Sequence, residues 1–285
     1  MCLPGTLESV RDAAGDAEPA PVAVDALSRR TVLAGGGAAA LAALLPGSAA
    51  AQRPRRVRAR RYQDLTHVFR AGFPVYSGQA PVRRTLVTVA NDGFYAQEWT
   101  FGEHSGTHVD APGHFVTDGR RASELRPREL FAPAAVIDIS ARAARDPDAM
   151  VEPADLRRYE RRYGRIPRGA IVFMYSGWER RLSDPAAFKN VGADGKFHFP
   201  GFGRRALDAL LATRRITGIG VDTLSLDVGA STTFDVHKRL LGADRYGIEN
   251  VANLAKIPPR GADVVVGIVP WEDGSGGPCR LIATY

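Results

Sequence analysis

The sequence predicts an α/β domain around a mixed sheet, and three observations carry that prediction. Short runs rich in β-branched residues recur over residues 85–89, 134–139, 170–175, 216–221 and 264–269. Several are nearly continuous apolar stretches, the pattern of strands buried on both faces. Helical periodicity alternates with strands in the second half of the chain, while the first half is strand-heavy.

Taken in order, the first 51 residues read as a leader. Ser28-Arg29-Arg30-Thr31-Val32-Leu33 precedes an uncharged Ala/Gly/Leu stretch, then Pro46 and the small-residue run Ser48-Ala49-Ala50-Ala51. Three consecutive glycines, Gly35 to Gly37, disfavour a stable core helix there. The segment resembles a twin-arginine export signal cut after Ala51, which implies a periplasmic or extracellular protein folded before export. Residues 52–61 form a basic linker carrying Arg53, Arg55, Arg56, Arg58, Arg60 and Arg61. Residues 62–285 contain no repeat, low-complexity segment or Ser/Gly-rich linker, and are expected to form a single domain.

Within that domain three segments carry helical patterns. Residues 153–163 begin with Pro153 in the first turn, place Leu156, Tyr159 and Tyr163 on one stripe and stop at Gly164. Residues 203–211 and 233–241 are the other two. The remaining strand-like runs are assigned to the sheet.

Composition narrows the function. With 285 residues, 45% apolar and 24% charged, the chain can bury a sizeable core. No apolar run reaches the roughly 18 residues of a membrane-spanning helix. The net charge of +7 is not accompanied by a nucleic-acid reading motif, so no nucleic-acid partner is expected. Cys2 and Cys279 stand at opposite ends, which leaves neither a disulfide framework nor a thiolate zinc site. A metal in this chain must be held by histidine and carboxylate.

Such a set is present. Three of the six histidines fall in His104-Ser105-Gly106-Thr107-His108-Val109-Asp110-Ala111-Pro112-Gly113-His114-Phe115. Ser-Gly-Thr inside and Pro-Gly after the pair His104 and His108 are poor helix chemistry. In an extended chain, residues an even number apart share a face, so His104, His108 and Asp110 project the same way. Bends at Gly106 and at Pro112-Gly113 bring them to one point. Two imidazoles and a carboxylate form a facial set for a divalent ion with open positions. His114, just past the Pro-Gly turn, is either a proton shuttle or a structural histidine bonded to a loop carbonyl. His237 and Glu249 carry little signal by themselves.

With these residues assembled, the chain resembles the cyclase family of metal-dependent hydrolases, which includes bacterial kynurenine formamidases and isatin hydrolases. The family signature is similar to His-x-Gly-Thr-His-x-Asp-x-Pro-x-His-Phe, matched from His104 to Phe115. The likeness continues through Asp64-Leu65-Thr66, Phe73-Pro74-Val75-Tyr76, Ser176-Gly177-Trp178, Pro200-Gly201, the run Gly220 to Asp227, His237 and Glu249-Asn250. Ser176 stands where threonine is usual, and Tyr76 where some kynurenine formamidases have tryptophan.

The resemblance implies a swivelling β/β/α domain assembled as a dimer or tetramer. It implies that His104, His108 and Asp110 hold one ion, that Asp110 bridges to a second held by His237 and Glu249, and that His114 is the catalytic acid/base. One or two divalent ions per subunit are expected, with Zn²⁺, Mn²⁺ and Fe²⁺ all suited to the donors. The implied activity is hydrolysis of an amide, formamide or lactam C–N bond by a water activated on the ion, as in arylformamidases of tryptophan breakdown. An exported member would meet an external lactam, lactone or aryl amide instead of the intracellular intermediate. Two alternatives stand beside it: an exported, non-catalytic metal- or ligand-binding protein, and a cyclase or dehydratase using the same ion as a Lewis acid. Phe73, Tyr76, Phe94, Tyr95, Trp99 and Trp178 are the candidate walls for a flat aromatic substrate.

Overall fold

The computed structural model describes residues 61–285. The leader and all of the basic linker but Arg61 lie outside the described residues.

Four of the five expected strands form the middle of one large sheet. Its order is β1 (Tyr62–Asp64), β12 (Gly276–Thr284), β11 (Arg260–Ile268), β5 (Phe131–Asp138), β7 (Ile171–Tyr175), β9 (Gly218–Val221), β10 (Tyr246–Glu249) and β4 (His108–Asp110). A further pairing of β4 with β12 closes the sheet on itself, so that β4 and β1 share one edge of β12 in succession. Strands β5, β7, β9 and β10 run parallel, and the rest pair antiparallel. Two short strands, β6 (Met150–Val151) and β8 (Gly201–Phe202), form a separate parallel pair. This is the mixed α/β sheet that the alternation of strands and helices predicts.

The crossovers between parallel strands carry the helices. Pro153–Tyr163 has the expected bounds, with proline in its first turn and the Asp155 carboxylate accepting from the Glu152 amide at 2.8 Å. Gly164 takes a positive φ of 83° and ends it. Leu156 and Tyr159 are buried on the sheet-facing stripe, and Tyr163 packs beside them. Arg204–Thr213 and Asp235–Leu241 follow, shorter or shifted by one or two residues relative to the sequence pattern.

Two hydrophobic cores result. One lies between the parallel strands and the helices, with Val172, Met174, Ile219, Leu207 and Leu240. The other fills the inside of the closed sheet, with Val109, Phe173, Ile248, Val264 and Leu281. Successive residues of β7 point into opposite cores, which is why its sequence is apolar throughout.

One strand differs from expectation. The chain runs extended over Val82–Val87 and pairs with Ala96–Thr100, forming a separate two-stranded ribbon of β2 and β3. At Val89 it turns into a single helical turn, Val89–Asp92. The Asp92 carboxylate accepts from the Thr88 amide at 3.0 Å, and Gly93 closes the turn at φ 78°. Local capping therefore overrides the β-branched pattern of residues 85–89.

Candidate active site

Strand β4 sits at the seam of the closed sheet. Its alternation sends Val109 into the inner core and leaves His108 and Asp110 on the opposite face. The antiparallel register with β10 places Glu249 directly across from His108, so its carboxylate joins the same face. His104 lies before the strand and is turned back by Gly106, whose φ of 67° is the left-handed bend expected there. His237 comes from the first turns of Asp235–Leu241.

These five side chains converge. His104 Nδ1 is 2.6 Å from Asp110 Oδ1, and His108 Nε2 is 3.4 Å from both Asp110 Oδ1 and Glu249 Oε2. His237 Nε2 is 3.1 Å from Glu249 Oε1 and 3.5 Å from Asp110 Oδ2. The donor atoms of His104, His108 and Asp110 lie within 4.8 Å of one another, and so do those of Asp110, His237 and Glu249. Asp110 is common to both groups, as the resemblance implies.

The far nitrogens of two rings are anchored outside this cluster. His108 Nδ1 donates to the Gly106 carbonyl at 2.9 Å, and His237 Nδ1 donates to Asp227 at 2.6 Å. When neutral, each ring therefore presents Nε2 with a free lone pair. The same Asp227 carboxylate accepts from the backbone amides of Val236 and His237, capping the helix that carries the ligand.

The donor set fits a divalent cation. His108 Nε2 and Asp110 Oδ2 are buried and have no hydrogen-bond partner among the described residues. Burial alone would push the His108 imidazole down, but the facing carboxylates of Asp110 and Glu249, each 3.4 Å away, outweigh that and hold it up at about 10. His237 is raised for the same reason. Burial penalises the Asp110 carboxylate, yet the imidazoles of His104, His108 and His237 hold it well below its ordinary range. Two buried carboxylates thus demand positive charge at one point, which a bound divalent ion supplies with the imidazoles neutral.

His114 stacks on His104 with ring centroids 3.8 Å apart, in a 3-10 turn over Pro112–His114. Its ring makes no hydrogen bond to a loop carbonyl among the described residues. Burial pushes its imidazole down to about 4, so the ring is neutral at pH 7.

A cavity of about 270 Å³ opens over this cluster. Tyr76, Phe115, Leu224 and Phe234 form its apolar side, while Ser77, Ser225 and Asn250 add polar groups. Of the aromatics singled out from sequence, only Tyr76 lines it. Phe73 and Trp178 are buried core residues, Trp99 packs on Phe69 and Arg83, Tyr95 is exposed on the ribbon, and Phe94 is half-buried away from the cavity. Nearness in sequence to a motif did not bring these residues to the cavity. Phe234, in a left-handed conformation at φ 52°, stands immediately before the helix of His237 and touches Tyr76, Phe115 and His237. That position was the available signal for it.

The remaining quoted strings meet around the site. The Asp222 carboxylate accepts from the backbone amides of Ser176, Gly177 and Trp178 and from the Ser176 hydroxyl at 2.6 Å. This tie seats Trp178 against Phe188, Phe199 and Leu224, behind the cavity wall. Thr107 donates to the Asn250 carbonyl at 2.6 Å and accepts from the His67 amide, locking the Gly-Thr of the first motif to the strand end that carries Glu249.

Comparison with known proteins agrees with this geometry. Residues 63–228 match the family model described as "Putative cyclase". The chain is 36% identical over 204 residues to an isatin hydrolase of Roseibium aggregatum, covering 68% of this chain and 76% of that enzyme. It is 26% identical over 227 residues to a kynurenine formamidase of Erythrobacter litoralis, covering 78% and 93%. The structure of isatin hydrolase A from Ralstonia solanacearum superposes with a TM-score of 0.76 at 34% identity, over 79% of this chain and 92% of that one. An isatin hydrolase bound to the product analogue thioisatinate matches equally well, with a TM-score of 0.76 at 30% identity over 79% and 92%. With its signature residues gathered on one face of a closed mixed sheet, the chain belongs to the cyclase family of hydrolases.

Proposed function

We propose that the protein is a metal-dependent hydrolase that cleaves the C–N bond of an aryl formamide or cyclic aryl amide, a substrate of the N-formylkynurenine or isatin type. One observation carries this reading: three imidazoles and two carboxylates converge at the floor of an aromatic-walled cavity, with a fourth, neutral imidazole stacked beside them.

In this reading His104, His108 and Asp110 would hold one Zn²⁺ or Mn²⁺, and Asp110, His237 and Glu249 would form a second position. When bound, a divalent ion would supply Lewis acidity and lower the pKa of water toward neutrality. Asp227 and the Gly106 carbonyl hold His237 and His108 in the tautomer that presents Nε2. Tyr76, Phe115 and Phe234 hold the flat ring of the substrate and keep bulk water from the reacting carbonyl. His114 takes a proton from the attacking water and returns it to the leaving nitrogen as the C–N bond breaks.

The export signal and a dimeric or tetrameric state belong to the same proposal, the first resting on Arg29-Arg30 and the Ala49–Ala51 run. Cell fractionation of a variant with both arginines replaced by lysine tests export, and light scattering measures assembly.

The test of function is metal analysis of protein beginning at Gln52, paired with assays on N-formylkynurenine and isatin with and without chelator. Bound metal and chelator-sensitive gain of one water in the product are expected. Absence of metal refutes the reading, and loss of water in the product would assign a dehydratase instead.

A further inference from the structure

His104 differs from the other two imidazoles in how its outer nitrogen is held. Its Nε2 lies 2.9 Å from the Ser275 hydroxyl, which donates at 2.6 Å to Glu103 Oε2, and the same oxygen accepts from the Ser275 amide at 2.9 Å. Ser275 immediately precedes the strand β12 that closes the sheet. The next residue, Gly276, is pressed so close to His104 that a Cβ there would lie 2.8 Å from the ring carbon Cε1 and would run into the Val109 carbonyl. Histidine, serine and glutamate therefore form a short chain of hydrogen bonds from the site to the half-exposed Glu103.

With Glu103 ionised and the His104 ring neutral, the proton count along this chain has one solution. A carboxylate can only accept, and a serine hydroxyl has a single proton. Ser275 gives that proton to Glu103, so what it turns toward His104 is a lone pair. His104 Nε2 must then carry the ring proton. Nδ1 then turns a lone pair toward Asp110 Oδ1 at 2.6 Å, a contact filled by a proton in the ion-free protein and available to a bound cation in its place.

We infer that Ser275 and Glu103 are positioning residues for the ion: they keep the His104 proton on Nε2 and so reserve Nδ1 for coordination. The inference rests on the metal-binding reading above, and its test is read without substrate. Zn²⁺ affinity is measured by competition with a chelating dye for the wild type, Ser275→Ala, Glu103→Gln and Ser275→Thr. The tautomer of His104 is read from imidazole ¹⁵N shifts of the Zn²⁺-bound protein. Glu103→Ala, measured beside them, is the informative change. It removes the one oxygen that accepts from both the Ser275 hydroxyl and the Ser275 amide, and so frees the hydroxyl proton to turn toward Nε2 and favour the wrong tautomer, whereas Glu103→Gln keeps a carbonyl oxygen for both donors.

Removal of such outer partners costs roughly 10- to 100-fold in metal affinity. We expect that loss in Ser275→Ala and Glu103→Ala, and affinity within about threefold of wild type in Ser275→Thr, which keeps the hydroxyl, and in Glu103→Gln, which keeps the acceptor. The Zn²⁺-bound wild type should show its His104 proton on Nε2. Affinities of Ser275→Ala and Glu103→Ala within about threefold of wild type, or a proton on Nδ1, overturn the inference and leave the function standing. A wild type that binds no Zn²⁺ overturns both.

Discussion

Asp222 offers a sharp test of how the structure holds its site, because one carboxylate organises a whole turn. It accepts three backbone amides, those of Ser176, Gly177 and Trp178, and the Ser176 hydroxyl, at 2.6 to 3.1 Å, and it is fully buried. In Asp222→Ala all these donors lose their acceptor. An unsatisfied buried donor costs about 1–3 kcal/mol, and water entering the vacated space keeps each near the low end, so a total of about 3–6 kcal/mol is expected. Asp222→Asn should cost far less. The amide can turn its nitrogen to the Ser176 hydroxyl, which reverses to accept, and keep its oxygen on Gly177 and Trp178; burial pushes the Asp222 carboxyl up to about 7, so little charge is lost and a loss of about 1 kcal/mol is expected. Urea unfolding of ion-free protein followed by circular dichroism measures both. An alanine variant within about 1 kcal/mol of wild type, or an asparagine variant as unstable as alanine, refutes this account of the turn. Since Trp178 backs the cavity wall through Phe199 and Leu224, a raised KM should accompany the loss of stability.

Other outcomes follow from the same geometry. His114→Ala should lower turnover by about 10²- to 10⁴-fold while bound metal, measured by elemental analysis, stays at the wild-type level; loss of metal instead would make His114 a ligand. Stripping the ion should lower the thermal midpoint, since a site saturated at about 100 times its Kd contributes about 2.7 kcal/mol to the native state; an unchanged midpoint in scanning calorimetry would argue against an ion bound to the folded chain. Asp155, buried and held by Arg142 at 2.6 Å and by Arg158, has its carboxyl lowered: burial opposes the shift, but the Arg142 guanidinium outweighs it. A lowered carboxyl contributes stability that is present above its ordinary pKa of about 3.9 and disappears as pH falls through the folded value. Asp155→Asn should therefore be less stable than wild type at pH 7, with the gap closing below about pH 4; a gap independent of pH in chemical denaturation would contradict the assignment.

Much of this site is legible in the amino-acid sequence. The pairing of His108 with Asp110 follows from strand alternation, and Gly106 bends where its place between two ligands calls for a bend. The helix Pro153–Tyr163 is bounded by its own proline and glycine, and β5, β7 and β9 announce themselves by largely apolar runs, since each of these signals is local. Strand β12 is not visible in this way. It opens with Gly-Gly-Pro, weak strand chemistry, and exists because β11 on one edge and β4 and β1 on the other supply its partners.

By its residues alone, the chain determined its family, its ligand types and the local geometry from His104 to His114. What it did not determine is which distant groups meet them. Glu249 reaches His108 through the register of β10 on β4, Ser275 reaches His104 through closure of the sheet by β12, and Asp222 reaches Ser176 from the end of the neighbouring parallel strand. Phe234 enters the cavity while Phe73 and Trp178 sink into the core, although all three are aromatic and near a motif. Spacing constrains side chains over a few residues, because backbone geometry repeats with a period of about 2 or 3.6. Register and closure are set by the packing of whole faces against one another, and only that packing assigns a partner to each face.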